Sequence, residues 1–145
     1  MEHTFTKILV TLNPDHVHVG TIQTGIYYGK HFDAPVIVAG TKENLTQYNS
    51  VIKENEASSG VNLVIHEIKD DNHKTIAEAV NKTGADLVIA PANKNTQKIV
   101  NDIDFPVLSI TENFNNRPIR KIVMPLHDEP TTRQKIPYAC GVAKN

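Results

Sequence analysis

Histidine is the residue type in this chain that first suggests chemistry. Seven histidines are present, and His16 and His18 lie two positions apart. On a helix two such side chains point about 200° apart and cannot bind one ion, whereas in an extended loop they could. No cysteine or carboxylate cluster at ligand spacing accompanies them in the sequence. We therefore expect solvated loop histidines and no metal site.

Two other positions carry residue types that catalysis uses. The run His127–Glu129 ends an apolar stretch, but the second strand, the helix and the glycine loop that would complete a site there are absent from the sequence. We therefore expect these residues to form a loop and the start of a helix. Cys140 has no base near it in sequence, and its small, apolar neighbours are typical of a packed helix face. Neither position is a candidate catalytic residue, and we predict that the chain is not an enzyme.

Composition limits the class of protein further. The chain has 145 residues, 39% of them hydrophobic and 21% charged, and a formal net charge of −1. These values are typical of a globular protein, and the spread of basic residues predicts no nucleic-acid partner. The single cysteine fits a reducing compartment, and the short apolar runs predict no membrane span. The N-terminal residues do not resemble a signal peptide, so we expect a soluble, cytoplasmic protein.

Short apolar runs alternate with segments of helical period along most of the chain. Several runs are β-branched and uniformly apolar, which is typical of parallel strands buried on both faces. Repeated strand–helix–strand units predict right-handed crossovers and an α/β, doubly wound, Rossmann-like sheet. The predicted strands are Ile8–Val10, Pro35–Gly40, Val61–Ile65, Leu87–Ala90 and Pro106–Ile110.

Helices are expected between these strands. Asp15 is a plausible N-cap of the first helix, Asn72 lies near the start of the third, and Gly84 is a good position for its end. A short fourth helix is predicted within Thr96–Ile103. The apolar stripes of the first three are Val19, Ile22, Ile26, Gly29; then Leu45, Tyr48, Ile52; then Ile76, Ala79, Val80, Thr83.

The chain also repeats its own beginning. A shift of 114 positions places KILV at residues 7–10 on KIVM at residues 121–124, and the register continues into the following helix. One interpretation is that all first strand–helix units look alike. The other is a duplication, with a complete domain at residues 1–113 and, at 114–145, a linker and an extra C-terminal βα unit that begins a second copy. Because one unit cannot bury its own apolar face, the tail must dock on the first domain, exchange with another chain, or belong to a longer protein.

The order of the motifs resembles one known family. KILVTLNPD, a helix, APVIVAG, TGADLVIAP and FPVLSI follow one another as they do in universal stress proteins, over roughly residues 5–112. The resemblance implies a five-stranded parallel sheet of order 3-2-1-4-5 that often forms dimers through its last strand. It also implies, for many members, ATP bound by an acidic residue after the first strand and a loop G-x2-G-x9-G-[ST] after the fourth.

This chain departs from the family pattern at the ATP site. Pro91, or Ala90 in the alternative register, stands at the first glycine, and Lys94 or Asn93 stands at the second. The span to the third glycine is missing. Because proline removes a backbone donor and glycine allows the close approach that a phosphate cradle needs, we expect no ATP binding of the family type and no cofactor. Asn13 replaces the acidic residue.

Ligands of such sheets bind beyond the carboxyl ends of the strands, where the strand order reverses. ATP or ADP is therefore kept as an alternative, bound at a rebuilt site in the loops 12–16, 40–42, 69–72 and 90–95. The candidate ligand-binding residues are Asn13, Pro14, Asp15, Gly40, Thr41, Pro91, Asn93 and Lys94.

The last predicted strand raises the question of assembly. An exposed apolar edge invites pairing, so a second chain or the strand Lys121–Leu126 should cover it. Two hypotheses follow. The first is a non-catalytic stress-response domain that acts by forming a homodimer, or by pairing with the second copy of a tandem protein, and by contacts with partners. The second is a nucleotide or small-molecule binding protein with a rebuilt site at the strand ends. The predicted dimer edge comprises Val107, Leu108, Ser109 and Ile110.

Overall fold

The structure, a computed structural model, describes residues 4–112 and 135–143 of the chain. The strands are β1 (Ile8–Thr11), β2 (Val36–Gly40), β3 (Leu63–Glu67), β4 (Leu87–Pro91) and β5 (Val107–Ile110). The helices are α1 (Gly20–Phe32), α2 (Lys42–Gln47), α3 (Asn49–Ser59), α4 (His73–Thr83), α5 (Lys94–Asp102) and α6 (Lys135–Ala143).

The five strands form one parallel sheet in the order β3-β2-β1-β4-β5. The predicted α/β class and strand order are therefore confirmed. In the centre of the sheet, Ile8 of β1 pairs with Val36 of β2 on one side and with Leu87 of β4 on the other. Strands β1, β2 and β4 are buried at every position, which is why their sequences do not alternate between apolar and polar and are apolar except for Thr11 at the end of β1.

The sheet has a packed layer on each face because successive side chains point in opposite directions. On one face, Leu9 packs in a cluster with Ile76 of α4 and Ile99 of α5. On the other face, α1 lies so close to β1 that a Cβ atom at Gly25 would come within 2.5 Å of Val10 Cγ2. A residue without a side chain is needed at that approach.

The ends of α4 agree with the sequence prediction. The Asn72 side chain accepts a hydrogen bond from the Lys74 amide at 2.9 Å, as an N-cap does. Gly84 follows the helix with φ of 72°, a left-handed conformation that glycine adopts without strain. Helix α5 is short, as predicted, and is capped by Asn93.

Two helix predictions are wrong. Asp15 is not the N-cap of α1, because the helix begins at Gly20; instead the Asp15 amide donates to Asn13 Oδ1 at 2.9 Å in a turn. The predicted second helix is two helices, α2 and α3, which meet at the fully buried Tyr48. The Tyr48 hydroxyl bonds to the backbone of the loop between β1 and α1.

Contacts divide the chain into two compact units, Phe5–Asn116 and a second that joins Met1–Thr4 to Arg117–Asn145. Helix α6 belongs to the second unit and falls within the residues that the shift of 114 aligns with α1. The strand predicted before it, Lys121–Leu126, and the run His127–Glu129 lie outside the described residues, so the tandem interpretation stays a prediction. Cys140 on α6 is exposed, so a position in the core is wrong, while packing at an interface stays a prediction; the next residue, Gly141, is buried. None of the described helices is long and apolar enough to span a membrane.

Candidate functional site

The sheet opens at the carboxyl end of β1, between β1 and β4. The amides of Val88 and Ala92 donate to β5, so the backbone nitrogen of Pro91, at the alternate position, faces β1. Proline has no N–H to donate, and the pairing of β1 with β4 ends at Val10 and Ile89, two residues before Pro91. The two strands therefore separate at the point where the strand order reverses, which is where ligands bind in sheets of this kind.

A cavity of about 140 Å³ lies at this opening. Pockets that hold drug-sized ligands are typically about 300–1,000 Å³, so this one is small for a mononucleotide. Its wall combines apolar side chains with a few polar ones, and comes from the β1–α1 loop, the start of α4 and the β4–α5 region. The lining residues are Thr11, Leu12, Pro14, Asp71, Ile76, Pro91, Asn93, Asn95, Thr96 and Ile99.

The β4–α5 connection is tied into a closed turn. The Thr96 hydroxyl donates to the Pro91 carbonyl at 2.5 Å, and the Thr96 amide donates to Asn93 Oδ1 at 2.9 Å. The Asn93 oxygen thus caps α5, and one of the amides at the helix start already has a partner. A phosphate cradle needs several converging backbone N–H groups. Here one is absent at Pro91 and another is occupied.

Asp71 supplies the carboxylate of the cavity. The Asn44 side-chain amide donates to both of its carboxylate oxygens, at 3.1 Å each, and Asn95 Nδ2 donates to its backbone carbonyl at 2.7 Å. Burial raises the pKa of the Asp71 carboxyl; the Asn44 hydrogen bond lowers it, and the nearby charges of Asp70 and Asp15 raise it further. The cavity is therefore electronegative, and its carboxylate is held by neutral amides.

Tyr48 fixes the β1–α1 loop at one side of the cavity. Its hydroxyl accepts a hydrogen bond from the His18 amide at 2.9 Å. It donates to the His16 carbonyl oxygen at 3.0 Å and lies 3.4 Å from the Asn13 carbonyl oxygen, a second possible acceptor. Burial raises the pKa of the Tyr48 hydroxyl, and the hydrogen bonds to the backbone of His18 and Asn13 lower it. The junction of α2 and α3 thereby holds the loop that contains Pro14.

The two loop histidines both reach Glu112, the second residue after β5. His16 Nε2 lies 2.6 Å from Glu112 Oε1, and His18 Nε2 lies 3.3 Å from the Glu112 carbonyl oxygen. His18 is half-buried, so the expectation of a solvated side chain is wrong for it. Within residues 4–112 and 135–143, no group of three histidine, cysteine or acidic side chains could hold a metal ion.

The structure brings together only part of the predicted site. Pro14, Pro91 and Asn93 line the cavity, whereas Gly40 lies under Leu12, where an added Cβ atom would be 2.9 Å from Leu12 Cδ1. Thr41 caps α2 by accepting from the Asn44 amide at 3.2 Å.

The other three candidates have different surroundings. Asn13 and Asp15 form the turn of the β1–α1 loop. Lys94 lines an open depression of about 410 Å³ that reaches Val100 and Ser109.

Sequence reasoning missed five polar residues at or near the cavity, namely Thr11, Asn44, Asp71, Asn95 and Thr96. Asp71 lies in the loop 69–72, which the sequence analysis placed at the end of a strand, so its position in the sequence could have identified it as a candidate. Asn44 and Asn95 are polar residues of α2 and α5, and no local pattern distinguishes them.

The predicted dimer edge is an edge of the sheet. Among the described strands β5 pairs with β4 alone. Ile110 is buried and Ser109 is exposed, while Val107 and Leu108 are half-buried. Val100 and Phe105, on α5 and just before β5, are 52% and 39% exposed.

Several solved structures that superpose on this chain are universal stress proteins. A universal stress protein in complex with cAMP superposes with a TM-score of 0.62 at 9% identity, over 77% of this chain and 100% of the other. One from Archaeoglobus fulgidus in complex with dAMP gives 0.58 at 10%, over 74% and 98%. One from Arabidopsis thaliana with AMP bound gives 0.55 at 13%, over 78% and 95%. No family model matches the sequence, and no curated protein matches it. The chain therefore has the fold of universal stress proteins.

Proposed function

We propose that this chain is a universal-stress-protein-like domain of the stress response that is not catalytic and does not bind ATP in the family's manner. It acts by self-association and by contacts with partners. The observation that carries this proposal is the β4–α5 connection, in which Pro91 lacks a donor and the Asn93 cap occupies the Thr96 amide. The single cysteine of the sequence supports a cytoplasmic location.

Three features of the cavity oppose a nucleoside phosphate. Its volume of about 140 Å³ is under half of the ~300 Å³ at which typical ligand pockets begin. A phosphate in it would meet the Asp71 carboxylate, and like charges within a few ångströms repel. The closed turn after β4 offers too few converging amides to offset that repulsion.

The proposal of a non-catalytic role rests on how the acid–base groups are arranged. Two histidine–carboxylate pairs are present in the described parts of the chain, His16–Glu112 and His73–Asp102. Neither histidine side chain has a hydroxyl or thiol among its hydrogen-bond partners there, so the described residues contain no serine, threonine or cysteine placed beside either pair as a nucleophile would be.

Self-association is supported by the apolar surface around β5. Val100, Phe105, Val107 and Leu108 expose part of their side chains at or beside a strand that has one partner strand in the described sheet. An open edge of this kind pairs readily with another strand, and its burial would remove apolar surface from water. The proposed partner is a second copy of the chain, or the second copy of a tandem protein.

Sedimentation velocity of the full chain tests the association. We expect a dimer that Leu108→Lys converts to a monomer, because the charge would be buried at the new interface. The matched control is Val64→Lys, on the opposite edge strand β3, where Val64 is 46% exposed. This control should stay dimeric. A monomeric wild-type chain, or dissociation by the control alone, would contradict the proposal.

The second candidate is a nucleotide or small-molecule binder with a rebuilt site. It is favoured by the solved structures of the same fold, whose names state that they hold cAMP, dAMP or AMP. It is also favoured by the cavity itself, which lies at the strand ends where such sheets bind ligands.

A further inference from the structure

The cavity between β1 and β4 is lined by a threonine whose hydroxyl has no hydrogen-bond partner in the described part of the protein. Thr11 lines the cavity and is only 4% exposed. Within residues 4–112 and 135–143 the hydroxyl of Thr11 makes no hydrogen bond. The hydroxyl is therefore free to donate to or accept from a molecule in the cavity. A hydrogen-bonding molecule in the cavity would provide the partner.

The carboxylate in the same cavity also has an incomplete environment. Asp71 forms no ion pair with a lysine, arginine or histidine of the described residues, and the Asn44 amide that bonds to it carries no charge. Asp15 and Asp70 add negative charge rather than offset it. A partly buried carboxylate in such surroundings is stabilised by a cation close to it.

We infer that this cavity binds a small organic cation with a primary ammonium group, which Asp71 recognises through its carboxylate and Thr11 through its hydroxyl. The volume of about 140 Å³ holds four or five groups of the size of water, at ~30 Å³ each. A molecule of that size with one charged end and one hydrogen-bonding end fits both residues. The apolar wall of Leu12, Pro14 and Ile99 contacts the carbon atoms between the two ends.

The pre-positioning of Asp71 supports a binding role. Its side chain is held by Asn44, which is itself 95% buried, and its backbone by Asn95, so two helices fix the carboxylate before a ligand arrives. Less side-chain freedom is then lost on binding, which favours affinity. This inference goes beyond the partner-contact function, and each can fail without the other.

NMR titration of the full-length, ¹⁵N-labelled chain tests the inference. The probe is protonated ethanolamine, which has an ammonium group and a hydroxyl; ethylene glycol is the neutral molecule of equal size, and inorganic phosphate is the anion. We expect saturable shifts of the Asn44, Asn93 and Asn95 side-chain amides with ethanolamine. Ethylene glycol and phosphate should not produce them.

Three substitutions assign the binding to the cavity. Asp71→Asn keeps the shape and removes the charge, and should weaken ethanolamine binding by about tenfold or more, the value of a hydrogen bond to a charged group. Thr11→Val should weaken it about two- to tenfold without unfolding the chain, because the hydroxyl it removes makes no hydrogen bond in the described structure. Asp104→Asn, at an exposed position, makes the same change of charge and should leave binding unchanged.

The inference is overturned if ethanolamine causes no saturable shifts, if ethylene glycol or phosphate binds as well, or if Asp71→Asn binds like the wild type. Should Asp71→Asn fail to fold, the Thr11→Val titration and the comparison of ethanolamine with ethylene glycol decide the matter. Equal weakening by Asp104→Asn would show general charge attraction and would also refute the cavity site.

Discussion

Replacement of Tyr48 by phenylalanine tests how the loop beside the cavity is held. The substitution keeps the buried ring and removes the hydroxyl, which accepts from the His18 amide at 2.9 Å and donates to the His16 carbonyl at 3.0 Å. Each of these bonds contributes about 0.5–1.5 kcal/mol net to stability, so their loss should lower the free energy of unfolding by about 1–3 kcal/mol. The longer contact to Asn13, at 3.4 Å, adds little because the hydroxyl has one proton to donate.

The assay is urea unfolding followed by circular dichroism, with hydrogen exchange of the His18 amide as a local measure. The matched control is Tyr27→Phe, a half-exposed tyrosine on α1 that should change stability by less than about 0.5 kcal/mol. In Tyr48→Phe the His18 amide should exchange faster, because its acceptor is gone. A Tyr48→Phe chain as stable as Tyr27→Phe, with an unchanged His18 exchange rate, would refute the role assigned to the hydroxyl.

Three more predictions concern the cavity and the core. Asn93→Ala should lower the free energy of unfolding by about 1 kcal/mol in urea denaturation, because α5 loses its cap, while Asn93→Ser should stay near the wild type; equal stability of Asn93→Ala would contradict the cap. Pro91→Ala restores an amide that faces β1, and hydrogen exchange should find that amide protected; rapid exchange would argue against proline as the cause of the opening. Burial raises the pKa of Tyr28 to about 12, so the stability that this residue contributes is complete below its unfolded value of about 10 and is lost as pH rises towards 12. Tyr28→Phe should therefore flatten the loss of stability over that interval, and an unchanged alkaline profile would contradict it.

The fold was predictable because its signals are local in sequence. Strands that are buried on both faces are mostly apolar, and β2 and β4 show that pattern throughout, while β1 departs from it only at its last residue, Thr11. Helix ends with a dedicated residue were found for the same reason: Asn72 and Gly84 act through their own neighbours in the chain. The order of the strands came from the family resemblance rather than from the pattern.

The site was predictable only in part, because its interactions join residues far apart in sequence. The bond from Tyr48 to His18 spans 30 residues and that from Asn44 to Asp71 spans 27, and neither leaves a local pattern. Asp15 looked like a cap because it follows Asn13-Pro14, yet the Asn13 side chain makes a turn there and delays the helix to Gly20. Pro91, the last residue of β4, and Asn93, the cap of α5, were both predicted as candidate site residues and both line the cavity, and their role in ligand binding stays a prediction.

The central claim is that the β4–α5 connection and the small, electronegative cavity leave no family-type nucleotide site. Equilibrium dialysis of the full chain against labelled ATP and AMP measures this directly. We predict no saturable binding of either nucleotide up to millimolar concentration. Saturable micromolar binding that is abolished by Asn13→Ala or by a substitution of Gly40 would contradict the claim and establish a nucleotide site at the strand ends.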